Sequence, residues 1–326
     1  MKEKDIKLSI VCTAYNHGKY IRSALDGFVM QKTNFAFEAI VHDDASTDGT
    51  ADIIREYAKK YPDIIVPIIQ TENQHSKKVQ ITREIIFPMI KGKYIAFCEG
   101  DDYWTDENKL QLQVDFLENN PDYIACAHNT TFHFCSGKRK DELLVERDDE
   151  HDIEFEDAIK GSRNSYQTSA LVIRKEWLFN MPDFYYEALK YGVGDLPRCI
   201  WYTIKGKVRF FPYNMSTYRF MSTPTSWSSL TLSSDREIHH INGMISMYEG
   251  IKKHVSDQRK ELVDKIILEH EFRKLELENK YSQMKKPPYL ELWKKHPRDR
   301  KFKAFLKSRC YWVYITLRTI KRTLKF

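Results

Sequence analysis

Three acids in four residues, Glu99-Gly100-Asp101-Asp102, stand directly after the apolar run KYIAFC at 93–98. Carboxylates this close repel one another, and a divalent cation that favours oxygen ligands relieves the repulsion. Mg²⁺ or Mn²⁺ is the natural guest, held through one or two carboxylates while phosphate oxygens and water complete the shell. Taken alone, the tetrapeptide also reads as a cluster of surface acids. A second acidic group, Asp43-Asp44, opens DDASTDGT at 43–50 behind the run FEAIVH. Its later members, Ser46, Thr47 and Asp48, are the residue types that cap a helix amino terminus. Asp43 and Asp44 need more than a cap, and nucleobase N–H or ribose hydroxyl groups would satisfy such a pair. A calcium loop starting at Asp44 does not fit, because Arg55 stands where the closing acid belongs and a strand replaces the entering helix. The third polar group is Thr13-Ala14-Tyr15-Asn16, after KLSIVC.

The elements that must position these groups alternate. Strand-like runs at 7–13, 37–43, 63–70 and 93–98 are separated by helical spacing at 19–31, about 50–60 and near 79–90. Such alternation predicts an α/β fold with a parallel sheet covered on both faces. Ligands of these sheets bind beyond the carboxyl ends of the strands. All three polar groups fall there. After Asp106 a helix is expected through KLQLQVDFLENN, then a strand at 122–134, a charged loop or hairpin at 137–150, and a mixed segment at 164–221 with a helix near 195–205. Residues 235–284 read as helical, and Pro287-Pro288 breaks the chain.

Composition narrows the classes. The chain has 326 residues, 42% hydrophobic and 13% aromatic, with only 12 Gly and 11 Pro, so a sizeable core is available and disorder is not expected. Mean hydropathy is −0.57, and no stretch has the length and apolar content of a spanning helix. The start, MKEKDIKLSIVCTAYN, runs into a strand without a secretory signal, so the expected compartment is the cytoplasm. Six dispersed cysteines fit reduced thiols. Cys126, His128, His133 and Cys135 match no common zinc spacing and read as half-buried strand residues.

With order and spacing considered together, TAYN at 13–16, DDASTDGT at 43–50, TRE at 82–84 and KYIAFCEGDDYW at 93–104 resemble the nucleotide-binding half of the family 2 glycosyltransferases. The resemblance covers roughly residues 6–130, and KLQLQVDFLENNPDY looks like bacterial members that build capsular or lipopolysaccharide glycans. It implies a GT-A fold, a Rossmann-like mixed sheet with helices on both faces. The implied activity is metal-dependent, inverting transfer from a nucleotide-sugar, a UDP-sugar, to a glycan or lipid-linked acceptor. Thr13, Ala14, Tyr15 and Asn16 would line the base pocket, with Tyr15 stacking on uracil. Asp43 and Asp44 would bind uracil and ribose, and Arg83 would lie near the nucleotide. Glu99, Gly100 and Asp101 would take the D-x-D position, with Asp101 the metal ligand and Asp102 in support. Glu99 departs from the first Asp of that motif, but its longer arm reaches a ribose hydroxyl or a metal-bound water. The catalytic base implied by the resemblance is Asp195 in YGVGDLP, for which a helix cap is the plain alternative. Arg219 and Trp227 would shape the acceptor or diphosphate side. Two other readings are a sugar-nucleotide pyrophosphorylase, disfavoured because TAYNHGK is not a Gly-rich loop, and a non-catalytic module that binds nucleotide or scaffolds a membrane glycan-assembly complex.

Charge is divided along the chain. Residues 285–326 carry a surplus of +12 and leave the first 284 at −6 within the total of +6. Apolar Phe305, Leu306, Val313, Leu317, Ile320 and Leu324 recur at helical spacing among these basic residues. A basic, aromatic-rich amphipathic segment at 302–326 suits an anionic bilayer surface rather than nucleic acid, which places the protein on the inner face of the cell membrane. Packing on the body or on a second subunit is the other use for such a stripe. The domains expected are 1–230 (nucleotide-sugar half 1–130, acceptor half 131–230), a helical extension at 231–284, and the tail at 285–326.

Overall fold

The structure, a computed structural model, describes residues 5–137, 139–220 and 234–309. It divides into two compact units: Met1–Pro182 with Asp195–Ser229, and Asp183–Gly194 with Leu230–Phe326. The second unit thus takes in residues 183–194 as well as the region carboxyl-terminal to 230.

In the first unit the order is β1 (Ile6–Ala14), α1 (Ile21–Val29), β2 (Ala36–Asp43), α2 (Thr50–Lys60), β3 (Ile65–Ile69), β4 (Tyr94–Phe97), β5 (Tyr103–Trp104), α3 (Lys109–Asn119) and β6 (Tyr123–Phe134). Two short strands follow, β7 (Glu142–Leu143) and β8 (His151–Asp152), then α4 (Phe155–Ala158), β9 (Val172–Arg174) and α5 (Glu176–Phe179). After α6 (Asp183–Leu189), which belongs to the second unit, come α7 (Asp195–Lys205) and β10 (Lys207–Phe220). One sheet runs β3-β2-β1-β4-β9-β6-β10-β5, with β7 on β6 and β8 on β10. The four amino-terminal strands pair in parallel. Beyond β4 the sheet is mixed, because β9 inserts antiparallel between β4 and β6, and β10 returns parallel to β6.

One face is sealed by α1, α2 and α3, whose Ile21, Leu25, Phe28, Ile54, Val114 and Leu117 share a core with Leu8, Ile10 and Cys12 of β1. β1, β2 and β4 are buried along most of their length, which is why they read as continuous apolar runs rather than alternating ones. Expected elements and structure part in two places. The helix expected near 79–90 is a π-type turn at Ile81–Ile86 followed by a 3₁₀ turn at Phe87–Met89. Pro88 sits inside it and cannot donate to a continuing ladder. Within the mixed segment at 164–221, the strand-like run YQTSALVI at 166–173 is a strand only in β9, since Thr168–Ala170 forms a 3₁₀ turn in which the Gln167 side chain accepts from Ser169 N.

In the second unit α8 (Ser234–Ile251) and α9 (Asp257–Leu277) pack on each other, and α8 also packs on α6. The α6 region and α8 approach closely: a Cβ on Gly250 would stand 2.3 Å from Phe184 Cβ, and one on Gly243 the same distance from Tyr191 Cβ. Short helices α10 (Tyr281–Met284) and α11 (Leu290–Lys295) lead to α12 (Arg298–Arg309). Phe272, Leu275, Tyr281, Met284 and Ala304 form one small core, so the chain beyond Pro287-Pro288 returns to pack on α9.

Candidate active site

A cleft of about 460 Å³ opens where β1, β2 and β4 end. It is lined by Thr13 and Ala14 at the end of β1 and Tyr15 just after it, by His42 and Asp44 of the β2 tip, and by Glu99, Asp101 and Asp102 after β4. Asp195 at the start of α7, Arg219 and Tyr218 of β10, and Gln167 complete the wall opposite. Parallel pairing brings the tips together: Ala14 is level with Asp43, and Gly100 N donates to Thr13 O at 2.9 Å.

The 43–50 segment is a capping structure and a ligand wall at once. Asp48, one residue ahead of the α2 N-cap Gly49, accepts through Oδ1 from Thr50 N (3.2 Å) and its hydroxyl (2.5 Å), and through Oδ2 from Gly18 N at 2.8 Å. Gly49, at φ +87°, supplies the left-handed turn into the helix. Ser46 Oγ accepts from Asn16 N, and Asn16 Oδ1 from Thr47 N, so the first two tips are laced together. Asp44 faces the loop after β3: Oδ1 accepts from Gln74 N at 2.7 Å and Oδ2 from His75 N at 3.1 Å. Asp43 is fully buried; Oδ2 accepts from Ser46 N, and Oδ1 has no hydrogen-bond partner among the described residues. The two carboxylates are thus kept apart by separate donors, which relieves the repulsion expected of the pair.

The EGDD tip carries the strongest electrostatic stress. Burial pushes the Glu99 carboxyl up to about 7, with the charges of Asp195 and Asp101 adding to the effect. Its Oε2 is enclosed and finds no hydrogen-bond partner among the described residues. Asp102, 1% exposed, is also raised well above the usual carboxylate range, first by burial and then by Asp101 and Glu99. Its Oδ1 accepts from Arg219 N at 2.9 Å and Oδ2 from Gln167 Nε2 at 3.4 Å. Arg219 braces the same tip, donating to Asp101 O at 2.7 Å with its guanidinium 4.3 Å from the Tyr103 ring centroid. The Asp101 carboxylate stays at the cleft surface, with Oδ2 4.0 Å from His17 Nε2. Burial lowers the His17 pKa, although Asp101, Asp48 and Asp43 pull the other way.

No group of three or more His, Cys, Asp or Glu among the described residues is arranged to hold a metal by itself. The site fits the weaker demand of an ion that binds through one or two carboxylates and the substrate's phosphates. Asp101, which lines the cleft, could hold such an ion, with the enclosed oxygen of Glu99 beside it.

Asp195 opens α7 and its side chain is 71% exposed. Oδ1 lies 3.2 Å from Arg198 NH2, and Arg198 is held beneath it with the guanidinium 4.5 Å from the Phe97 ring centroid. A carboxylate in the first turn of a helix is also electrostatically favoured there. Its place in the cleft, with its charge felt at Glu99, goes beyond what a cap requires.

Of the residues singled out from the sequence, Thr13, Ala14, Tyr15, Asp44, Glu99, Asp101, Asp102, Asp195 and Arg219 line one cleft. Asn16, Asp43 and Gly100 sit immediately behind it as the framework of the tips. Arg83 is exposed on the π-type turn and does not line the cleft, whereas Ile81 of that turn does. Trp227 and residues 310–326 lie outside the described residues. His17, His42, Asn73, His75, Gln167 and Tyr218 also line the site and were not legible beforehand. A signal for His17 existed, since it directly follows TAYN.

Comparison with known proteins places this arrangement. The model of "Glycosyl transferase family 2" matches residues 9–180. Uncharacterized protein Rv1520 of Mycobacterium tuberculosis is 35% identical over 218 residues, 65% of this chain and 58% of that protein, so the chain spans well under two thirds of that relative's length. The UDP-Glc:alpha-D-GlcNAc-diphosphoundecaprenol beta-1,3-glucosyltransferase WfaP of Escherichia coli is 34% identical over 111 residues, 34% of this chain and 41% of its own. Among solved structures, S. aureus TarS 1-349 in complex with UDP-GlcNAc superposes with a TM-score of 0.58 at 16% identity, covering 83% of this chain and 73% of that one. That likeness is one of fold, and the fold is GT-A. The chain belongs to glycosyl transferase family 2.

Proposed function

We propose that the chain is a metal-dependent inverting glycosyltransferase that moves a sugar from a UDP-sugar to a hydroxyl of a glycan or lipid-linked acceptor in bacterial surface polysaccharide synthesis. The observation that carries this reading is the convergence of the β1, β2 and β4 tips with Asp195 and Arg219 on one cleft. The named activity of WfaP and the UDP-GlcNAc bound to TarS support a uridine donor. WfaP's diphosphoundecaprenol-linked acceptor supports a lipid-linked one.

In this reading Thr13, Ala14 and Tyr15 form the base wall, with the 39%-exposed Tyr15 ring available for stacking. Asp43, Asp44 and Asn16 hold the β2 tip against the nucleoside, and Arg83 stands at the outer edge. Asp43 Oδ1, unpartnered but buried behind the cleft wall, would accept from a base or ribose donor only after a shift of the tip uncovers it. Asp101 would hold Mn²⁺ or Mg²⁺, with Glu99, Gly100 and Asp102 shaping the tip around it. When bound, such an ion offsets charge on the departing diphosphate. Asp195 takes the proton of the acceptor hydroxyl as that oxygen attacks the anomeric carbon from the face opposite UDP. Arg198 holds its carboxylate in place. Arg219 borders the acceptor and diphosphate side.

A peripheral place on the inner membrane face is part of the proposal. Phe302 and Phe305 of α12 are 59% and 51% exposed among Arg300, Lys301 and Lys303. That combination suits an anionic lipid interface. No helix among the described residues is long and apolar enough to cross a membrane.

The test is UDP release by the purified protein over a panel of UDP-sugars, with and without Mn²⁺. Metal-dependent release from one donor supports the reading. Absence of release, together with absence of UDP binding by calorimetry, overturns it.

A further inference from the structure

We propose that the imidazole of His17 joins Asp101 in holding the divalent cation, which makes the centre a mixed nitrogen–oxygen site that favours transition ions such as Co²⁺ and Mn²⁺ over Mg²⁺. The inference rests on the donor reading above and adds to it a ligand and an ion preference.

Three observations carry it. His17 Nε2 and Asp101 Oδ2 stand 4.0 Å apart, and both side chains line the cleft. Two metal–ligand bonds of about 2.1 Å each span up to roughly 4.2 Å between donors. At a right angle the same two bonds span about 3.0 Å, so one ion reaches both atoms once the two side chains close by about 1 Å.

The second observation is that the residue is anchored by its backbone. His17 N donates to Thr50 Oγ1 at 2.9 Å, and His17 O accepts from Tyr20 N and Ile21 N at 2.8 Å, the contacts that start α1. The side chain itself is 14% exposed. A side chain held this way loses little further freedom on binding an ion.

The third is the glycine inside the acidic motif. A Cβ on Gly100 would stand 3.0 Å from His17 Nδ1 and 2.9 Å from Ile21 Cδ1. The bare backbone at 100 gives the imidazole room against the tip. Nε2 is then the nitrogen presented to Asp101. Imidazole suits transition ions better than Mg²⁺, which demands near-ideal oxygen geometry and gives up water reluctantly. Carboxylates alone would not draw that distinction.

Pulsed electron paramagnetic resonance of Mn²⁺ bound to the full chain with UDP tests the proposal without reference to turnover. Coupling to a histidine nitrogen is expected in the wild type and lost in His17→Gln. Mn²⁺ affinity should fall about tenfold or more in that variant, and Mg²⁺ affinity less than threefold. If His17→Gln does not fold, His17→Asn serves, since its shorter amide cannot reach the ion. Mn²⁺ bound with UDP but without nitrogen coupling, or coupling that survives in the variant, overturns this inference and leaves the donor reading intact. Failure of wild-type protein to bind Mn²⁺ with UDP overturns the metal reading, and this inference with it.

Discussion

Lys109 offers a sharp test of what a buried charge costs this fold. It opens α3, is 0% exposed, donates from Nζ to Gln113 Oε1 at 2.8 Å, and places that ammonium 4.1 Å from the Trp104 ring centroid. Burial lowers its pKa to about 7, with Cys126 and Cys98 only partly opposing the shift. In the unfolded chain the same group titrates near 10.4. Below pH 7 both states are protonated, and folding carries the full cost of burying the charge. Between about 7 and 10 the unfolded chain binds a proton that the folded chain has released. Stability then rises with pH at up to about 1.4 kcal/mol per unit, about 4–5 kcal/mol over the whole window as an upper figure. Lys109→Met removes the charge at nearly constant volume and leaves Gln113 Oε1 without its donor, a pH-independent cost of about 1–3 kcal/mol. The variant should be more stable than wild type at pH 6, by about 2 kcal/mol, and should lose that advantage by pH 9.5. Urea unfolding of both proteins across this range is the assay. The raised thiols of Cys12, Cys98, Cys126 and Cys199 oppose the trend above about pH 8.5 in both proteins. The difference between the proteins is therefore the quantity to read. Parallel stability curves would refute the reasoning, because they would mean that Lys109 keeps its proton when folded.

Asp195→Asn should lower kcat by about 10² to 10⁴ while leaving the calorimetric Kd for UDP within about threefold; retained turnover would remove Asp195 as the base. Gly100→Ala forces a methyl against Ile21, Ala14 and His17 at 2.9–3.0 Å. Overpacking of this kind costs about 1–3 kcal/mol, to be read from urea midpoints, and UDP affinity in Mn²⁺ should fall with it. Asp48→Ala removes the acceptor for Thr50 N and Gly18 N. Thermal unfolding should report about 1–2 kcal/mol of lost stability, with the cleft's UDP selectivity unchanged.

What the sequence revealed and what it hid follow from the range of the interactions. The three polar tips were legible because each directly follows a run of buried strand residues, and parallel strands present their carboxyl ends on one edge. The place of Asp48 at the start of α2 was legible because its partner Thr50 is only two residues away. The companion of Asp44 was not. It is a backbone turn thirty residues downstream, whose N–H groups at 74 and 75 carry no side-chain signature. The insertion of three-residue β9 between β4 and β6 was equally hidden, because its neighbours are set by long-range packing rather than by pattern. Gln167 reaches Asp102 only through that insertion. His17 and His42 were passed over because a single histidine beside an apolar run is usually a core residue. Their place in the cleft comes from the pairing of β1 with β2 and from the start of α1.

The account stands or falls on the cleft being a metal-assisted site for a uridine nucleotide. Calorimetric titration of UDP into the wild type and into Asp101→Asn, each with and without Mn²⁺, tests that claim most directly. Saturable, Mn²⁺-enhanced binding to the wild type, weakened at least tenfold in Asp101→Asn, is the predicted result. Binding that is indifferent to Mn²⁺ and to Asp101, or no binding at all, would contradict it.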